Sequence, residues 1–198
     1  MGKGLGYRAV YAALSVLVTA GCTPVGVAVG AGATAGVAAV QERGISGAVD
    51  DISIEASINN LWFKHDITLY RKLNLIVYEG RAMVTGFVPT PEMRLDAIRL
   101  TWQAEGVKEV INEIRIGDST SLGVDAKDAL TLKSIEAKLL FESGIEDVNY
   151  SMEIVDSVVY VIGIAQNRFE LERVLDIIST TDGVQHVVSH VRIKSEGV

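Results

Sequence analysis

Residues 80–88 read GRAMVTGFV, and residues 156–165 read DSVVYVIGIA. Each is a β-rich run that carries a glycine near its far end and follows a short turn. In the first, Glu79-Gly80 separates Leu73–Tyr78 from Arg81–Val88, the signature of a β-hairpin. In the second, Asp156-Ser157 separates Val148–Val155 from Val158–Ala165. Laid over one another without a gap, residues 54–116 fall on 131–193. Val84 and Gly86 then meet Val161 and Gly163, and Gly106, Val107 and Val110 meet Gly183, Val184 and Val187. A fixed offset with paired glycines marks an internal duplication.

The remaining elements follow from periodicity. Asp50–Lys64 places Ile54, Ile58, Leu61 and Trp62 on one helical face. Thr90-Pro91-Glu92 offers an N-cap, a first-turn proline and a first-turn acid, so a second helix runs from here towards Gly106. Val107–Ile116 alternates as a half-buried strand. The second copy repeats the order, with helices over Asp125–Glu142 and Asn167–Thr181 and a last strand over Val184–Ile193. The expected fold is α+β. It consists of two αββαβ modules, each a three-stranded mixed sheet with two helices on one face, joined by GDSTSLG (117–123). The other sheet face is left either solvated or docked.

The order αββαβ, with GRAMVTGFV (80–88) in the hairpin and EGVKEVINEIRI (105–116) at the end, resembles the BON domain. DSVVYVIGIA (156–165) and DGVQHVVSHVRI (182–193) resemble it again. Asp156-Ser157 departs from the glycine turn the family prefers, which leaves the turn type open. These motifs are apolar patterns and glycines, so they specify fold more than chemistry.

The N-terminus reads as an address. Lys3 and Arg8 precede an apolar block, AVYAALSVLV (9–18), of signal-peptide length. Thr19, Ala20 and Gly21 lead to Cys22, the single cysteine of the chain. The stretch resembles a bacterial lipobox, with Thr19 where a large aliphatic residue is usual. The resemblance implies cleavage before Cys22, its lipidation (palmitate among the acyl chains), and sorting to the outer membrane because Thr23, not Asp, follows. The division is then 1–21 signal peptide, 22–48 Gly/Ala-rich tether, 49–117 module 1 and 124–196 module 2. No charge occurs between Arg8 and Glu42, but Pro24 and a run of Val, Ala, Gly and Thr argue for a tether rather than a spanning helix. Cleavage removes Lys3 and Arg8 and no acid, which takes the net charge from −7 to −9. That balance, with no basic run, argues against nucleic acid as a partner.

Catalytic and metal chemistry find no residues, and no cofactor is implied. His186 and His190 share one strand face with Val188, Arg192 and Lys194 and read as solvated. Asp50-Asp51 reads as helix-start charge and Glu146-Asp147 as a loop pair. The chain is expected to be non-enzymatic.

The two first helices differ. In module 1 the face away from the core carries Ser53, Ala56, Asn60 and Lys64. In module 2 the matching positions are Leu130, Lys133, Ala137 and Phe141, one stripe opposite the core stripe of Leu132, Ile135 and Leu139. A second apolar face needs a cover. Module 1 is one candidate. A lipid surface is another, with Lys133 and Lys138 meeting the phosphates of anionic phospholipids. A protein partner is the third. The resemblance implies a periplasm-facing outer-membrane lipoprotein that supports envelope integrity, through phospholipid contact or, in the alternative, as an adaptor that positions envelope proteins.

Overall fold

The computed structural model describes residues 41–118 and 122–194. Cys22, the signal peptide and residues 22–40 of the tether lie outside the described residues. Module 1 comprises α1 (Gly44–His65), α2 (Ile67–Lys72), β1 (Leu73–Tyr78), β2 (Arg81–Val88), α3 (Pro91–Thr101) and β3 (Glu109–Ile116). Module 2 comprises α4 (Leu122–Phe141), a 3-10 turn (Asp147–Asn149), β4 (Tyr150–Val155), β5 (Val158–Ala165), α5 (Arg168–Ser179) and β6 (His186–Ile193). The αββαβ order is present twice, with a short helical turn added ahead of each hairpin. In each sheet the middle strand pairs antiparallel with its hairpin partner and parallel with the last strand.

Local chemistry sets these elements. Thr90 caps α3 by accepting from Met93 N–H, and Asn167 caps α5 by accepting from Glu170 N–H. Both hairpins turn through two residues of positive φ: Glu79 and Gly80 at 55° and 76°, Asp156 and Ser157 at 54° and 63°. Module 2 thus makes the same primed turn without a glycine. The paired strand glycines answer a close approach. A Cβ on Gly86 would lie 2.4 Å from the Lys72 carbonyl oxygen, and one on Gly163 would lie 2.1 Å from that of Asn149. In each module the helical turn passes over this glycine on its way into the hairpin.

Each module buries its own core between helices and sheet. Module 1 centres on Ile58, Trp62, Val84 and Ala97. Trp62 donates its indole N–H to the Ala97 carbonyl at 3.1 Å, which ties α1 to α3 without leaving a buried donor unmet. Module 2 centres on Ile135, Leu139, Val161 and Val174.

A third cluster joins the two. Tyr78, Met83, Ile111, Tyr160 and Ile162 are buried on the sheet faces turned away from the helices. The open faces are therefore docked on each other, giving a helix–sheet–sheet–helix stack. This corrects the reading of the β6 histidine face in its middle: Val188 packs into this cluster and His190 beside it is half-buried, while His186, Arg192 and Lys194 are exposed as expected. The three core clusters lie wholly between Ile54 and Val191, so a fragment beginning at residue 23 retains the whole folded body.

Candidate functional site

The stripe of module 2 is a consequence of how α4 is seated. Asp128, Thr131, Ile135 and Leu139 face inward and are buried. The opposite side carries Leu130 at 74% exposure and Phe141 at 84%, with Lys133 and Ala137 exposed between them. Lys133 Nζ sits 2.6 Å from Glu136 Oε2 one turn away. Module 1 does not cover Leu130 or Phe141, because the modules meet through their sheets. Lys138, expected beside Lys133 at a lipid surface, instead donates to Thr181 Oγ1 at 3.0 Å, in the turn that follows α5.

Sequence reading missed two further exposed apolar side chains of module 2. Leu140, at the end of α4, is 60% exposed, and Phe169, in the first turn of α5, is 79% exposed. Phe169 follows the Asn167 cap, a position where a large apolar side chain has no core to enter. Module 1 is less polar outside than expected: Ile52 and Phe63 of α1 are exposed. They flank Ala56, one turn before it and two turns after it, at the edge of the face that carries Ser53, Asn60 and Lys64.

Charge is concentrated where the modules meet. The Arg81 side chain is nearly buried; it donates to Glu109 Oε2 at 2.9 Å and to the His190 carbonyl at 2.9 Å. Arg192 reaches the same Glu109 oxygen from the other module at 2.5 Å. Arg115 donates to the Val155 carbonyl at 2.8 Å and lies over the Phe87 ring. His190 Nε2 lies 2.8 Å from Glu113 Oε1. Glu113 and His190 are the same position of the duplicated unit, so an approximate two-fold axis runs through their contact. The start of the described chain is also held by module 2: Gln41 donates to the Val148 carbonyl at 2.7 Å, and Glu42 N–H to Asn149 Oδ1 at 2.8 Å. Lys194 lies 3.0 Å from the Glu42 carboxylate.

Asp51 and Asp128 have a role the sequence reading did not assign. α1 begins at Gly44, so neither Asp50 nor Asp51 lies in its first turn. Asp51 is buried and accepts from Glu79 and Gly80 N–H, each at 2.8 Å, while Arg43 bonds it from the other side. Asp128, at the same position of the second unit, accepts from Ser157 N–H. The two aspartates brace the two hairpin turns; their shared offset in the duplication was the available signal. Glu153, on β4, is the carboxyl most altered by its surroundings: burial pushes it up to about 7. Glu55 is also raised, by desolvation. Among the described residues no three His, Cys, Asp or Glu side chains are placed to hold a metal ion. Among them, too, no helix is long and apolar enough to cross a membrane.

The fold is a duplicated α+β sandwich of two three-stranded mixed sheets docked face to face. The BON domain model matches residues 50–118 and 127–195, and the chain belongs to the BON domain family. It is 41% identical over 147 residues to the "Uncharacterized protein in gshII 5'region" of Anaplasma centrale, covering 74% of this chain and 96% of that one. It is 26% identical over 169 residues to the outer membrane lipoprotein DolP of Haemophilus influenzae, covering 85% and 86%. It is 24% identical over 148 residues to the osmotically-inducible protein Y of Escherichia coli, covering 74% of each.

Proposed function

We propose that the chain is a non-enzymatic, envelope-associated lipoprotein of the outer membrane. It is anchored through a lipidated Cys22, faces the periplasm, and touches a phospholipid surface with the α4 stripe. One observation carries the lipid contact: Leu130 and Phe141 stand exposed on a helix whose opposite face is fully committed to the core. Similarity to an outer membrane lipoprotein over most of both chains supports the location. Burying Leu and Phe fully is worth about 1.5–3 kcal/mol each. An interfacial helix inserts part-way, so about half of that, a roughly tenfold to hundredfold gain in partitioning, is available. The acidic net charge works against anionic lipid, so the contact is local and depends on the anchor to raise effective concentration at the bilayer. Co-sedimentation of the 23–198 fragment with anionic phospholipid vesicles tests the surface. The pair Leu130→Asp and Phe141→Asp should abolish binding, and binding that survives both removes the reading. Mass spectrometry of the mature N-terminus tests the anchor.

A further inference from the structure

On one flank of the sandwich the outer strands β1 and β4 lie side by side, and a groove runs along them between α1 and α4. It opens to about 730 Å³ beside Leu75–Val77 and Tyr150–Met152 and continues as about 390 Å³ beside Asn74 and Glu153–Val155. The six residues of β4 give it a length of about 20 Å.

The groove floor is a pair of free sheet edges. Tyr78 and Arg81 close a two-residue turn, so Tyr78, Ile76 and Asn74 spend their N–H and C=O groups on β2. Leu75 and Val77 therefore turn theirs outward. The Val77 carbonyl accepts from Arg43 at 3.3 Å, which agrees with that parity. On β4 the same count turns Met152 and Ile154 outward, and the Ile154 amide is met by the Glu153 carboxyl. Among the described residues no partner meets the main chain of Leu75 or Met152 on this side. The opposite flank is built differently: its outer strands β3 and β6 are crossed by the Glu109–Arg192 and Glu113–His190 pairs, which block strand addition.

We propose that this groove takes an extended basic peptide, which adds a strand to the β1 or β4 edge and lies under α4. Two features select the occupant. Unpaired amides and carbonyls on the floor are costly to cover with hydrocarbon, whereas a peptide satisfies them. The wider end carries four acids against two bases, and Arg43 and Lys133 are already paired with Asp51 and Glu136. Glu55 and Asp147 then set the sign of the wider end. The site borders the lipid-facing stripe: Lys133 and Ala137 line its wider end, whereas Leu130 and Phe141 do not line it.

The test is amide NMR on the 23–198 fragment, titrated with a capped eight-residue peptide of alternating Lys and Val. The same peptide N-methylated at alternate residues and a Glu/Val version serve as controls. The Lys/Val peptide should shift Leu75, Val77 and Met152. Both controls should bind at least tenfold more weakly, and Glu55→Lys with Asp147→Lys should weaken the Lys/Val peptide at least fivefold. Leu130→Asp with Phe141→Asp should leave peptide binding intact whatever it does to vesicle binding. Equal binding of the N-methylated peptide overturns strand addition. So do shifts confined to the outer face of α4, no shift at millimolar peptide, or stronger shifts of the same amides by decanoate.

Discussion

Replacing Asp51 with alanine isolates the brace under the first hairpin. The carboxylate is 96% shielded and holds two amides, Glu79 and Gly80, that a primed turn presents on the same side. A hydrogen bond to a charged group contributes about 1.5–3 kcal/mol, and an orphaned buried donor costs a similar amount. The Gly80 amide is buried and the Glu79 amide partly so, which places the loss at about 3–4 kcal/mol. For a body of this size each kcal/mol moves the melting temperature by about 2–4 °C, so Asp51→Ala should melt about 10 °C lower. Asp50→Ala is the control: Asp50 is exposed and braces nothing, so its change should stay within about 0.5 kcal/mol. Thermal melts of wild type and both variants at neutral pH decide it. Equal losses for the two aspartates would return both to the role of diffuse helix charge, and no loss for Asp51→Ala would refute the brace.

Two other variants follow from the same turns and strands. Ser157 holds φ 63° without the freedom of glycine, so Ser157→Gly should raise stability by about 0.5–1 kcal/mol, read from chemical denaturation. Glu153 titrates near 7 when folded and at the ordinary carboxylate value of 4.5 when unfolded. Between these values the folded protein keeps a proton that the unfolded chain has released, so stability falls as pH rises from about 4.5 through 7. Glu153→Gln should remove that fall, and melting temperatures of the two proteins should diverge between pH 5 and pH 8 in favour of the variant.

The duplication, the strand order and the two capped helices were legible because they rest on local rules: offset, turn length and capping residues. Where the modules join was less legible. VVYVIGIA (158–165) is apolar at almost every position, and a strand of that kind is covered on both faces. That pattern is the signal for a docked open face that the reading left unused; the polar parity of His186, His190 and Arg192 in β6 points the other way. The structure resolves the conflict with a seam in which charges neutralise one another between modules. The surplus apolar face of α4 was countable from its spacing, since it needs only one helix. Leu140 and Phe169 were not, because only the packing of α4 and α5 on the sheet decides which apolar side chains stay outside the core. Asp51 looked like Asp50 in the chain, and only the return of the hairpin separates them.

Gln41 and Glu42 precede module 1 in the chain yet are fastened to module 2, through Val148, Asn149 and Lys194. A pull on anything ahead of Gln41 is therefore shared: the tension reaches both halves before either is stretched alone. The clasp turns a serial string of two units into a parallel one, in which mechanical load presses on the seam instead of peeling the first unit from the second.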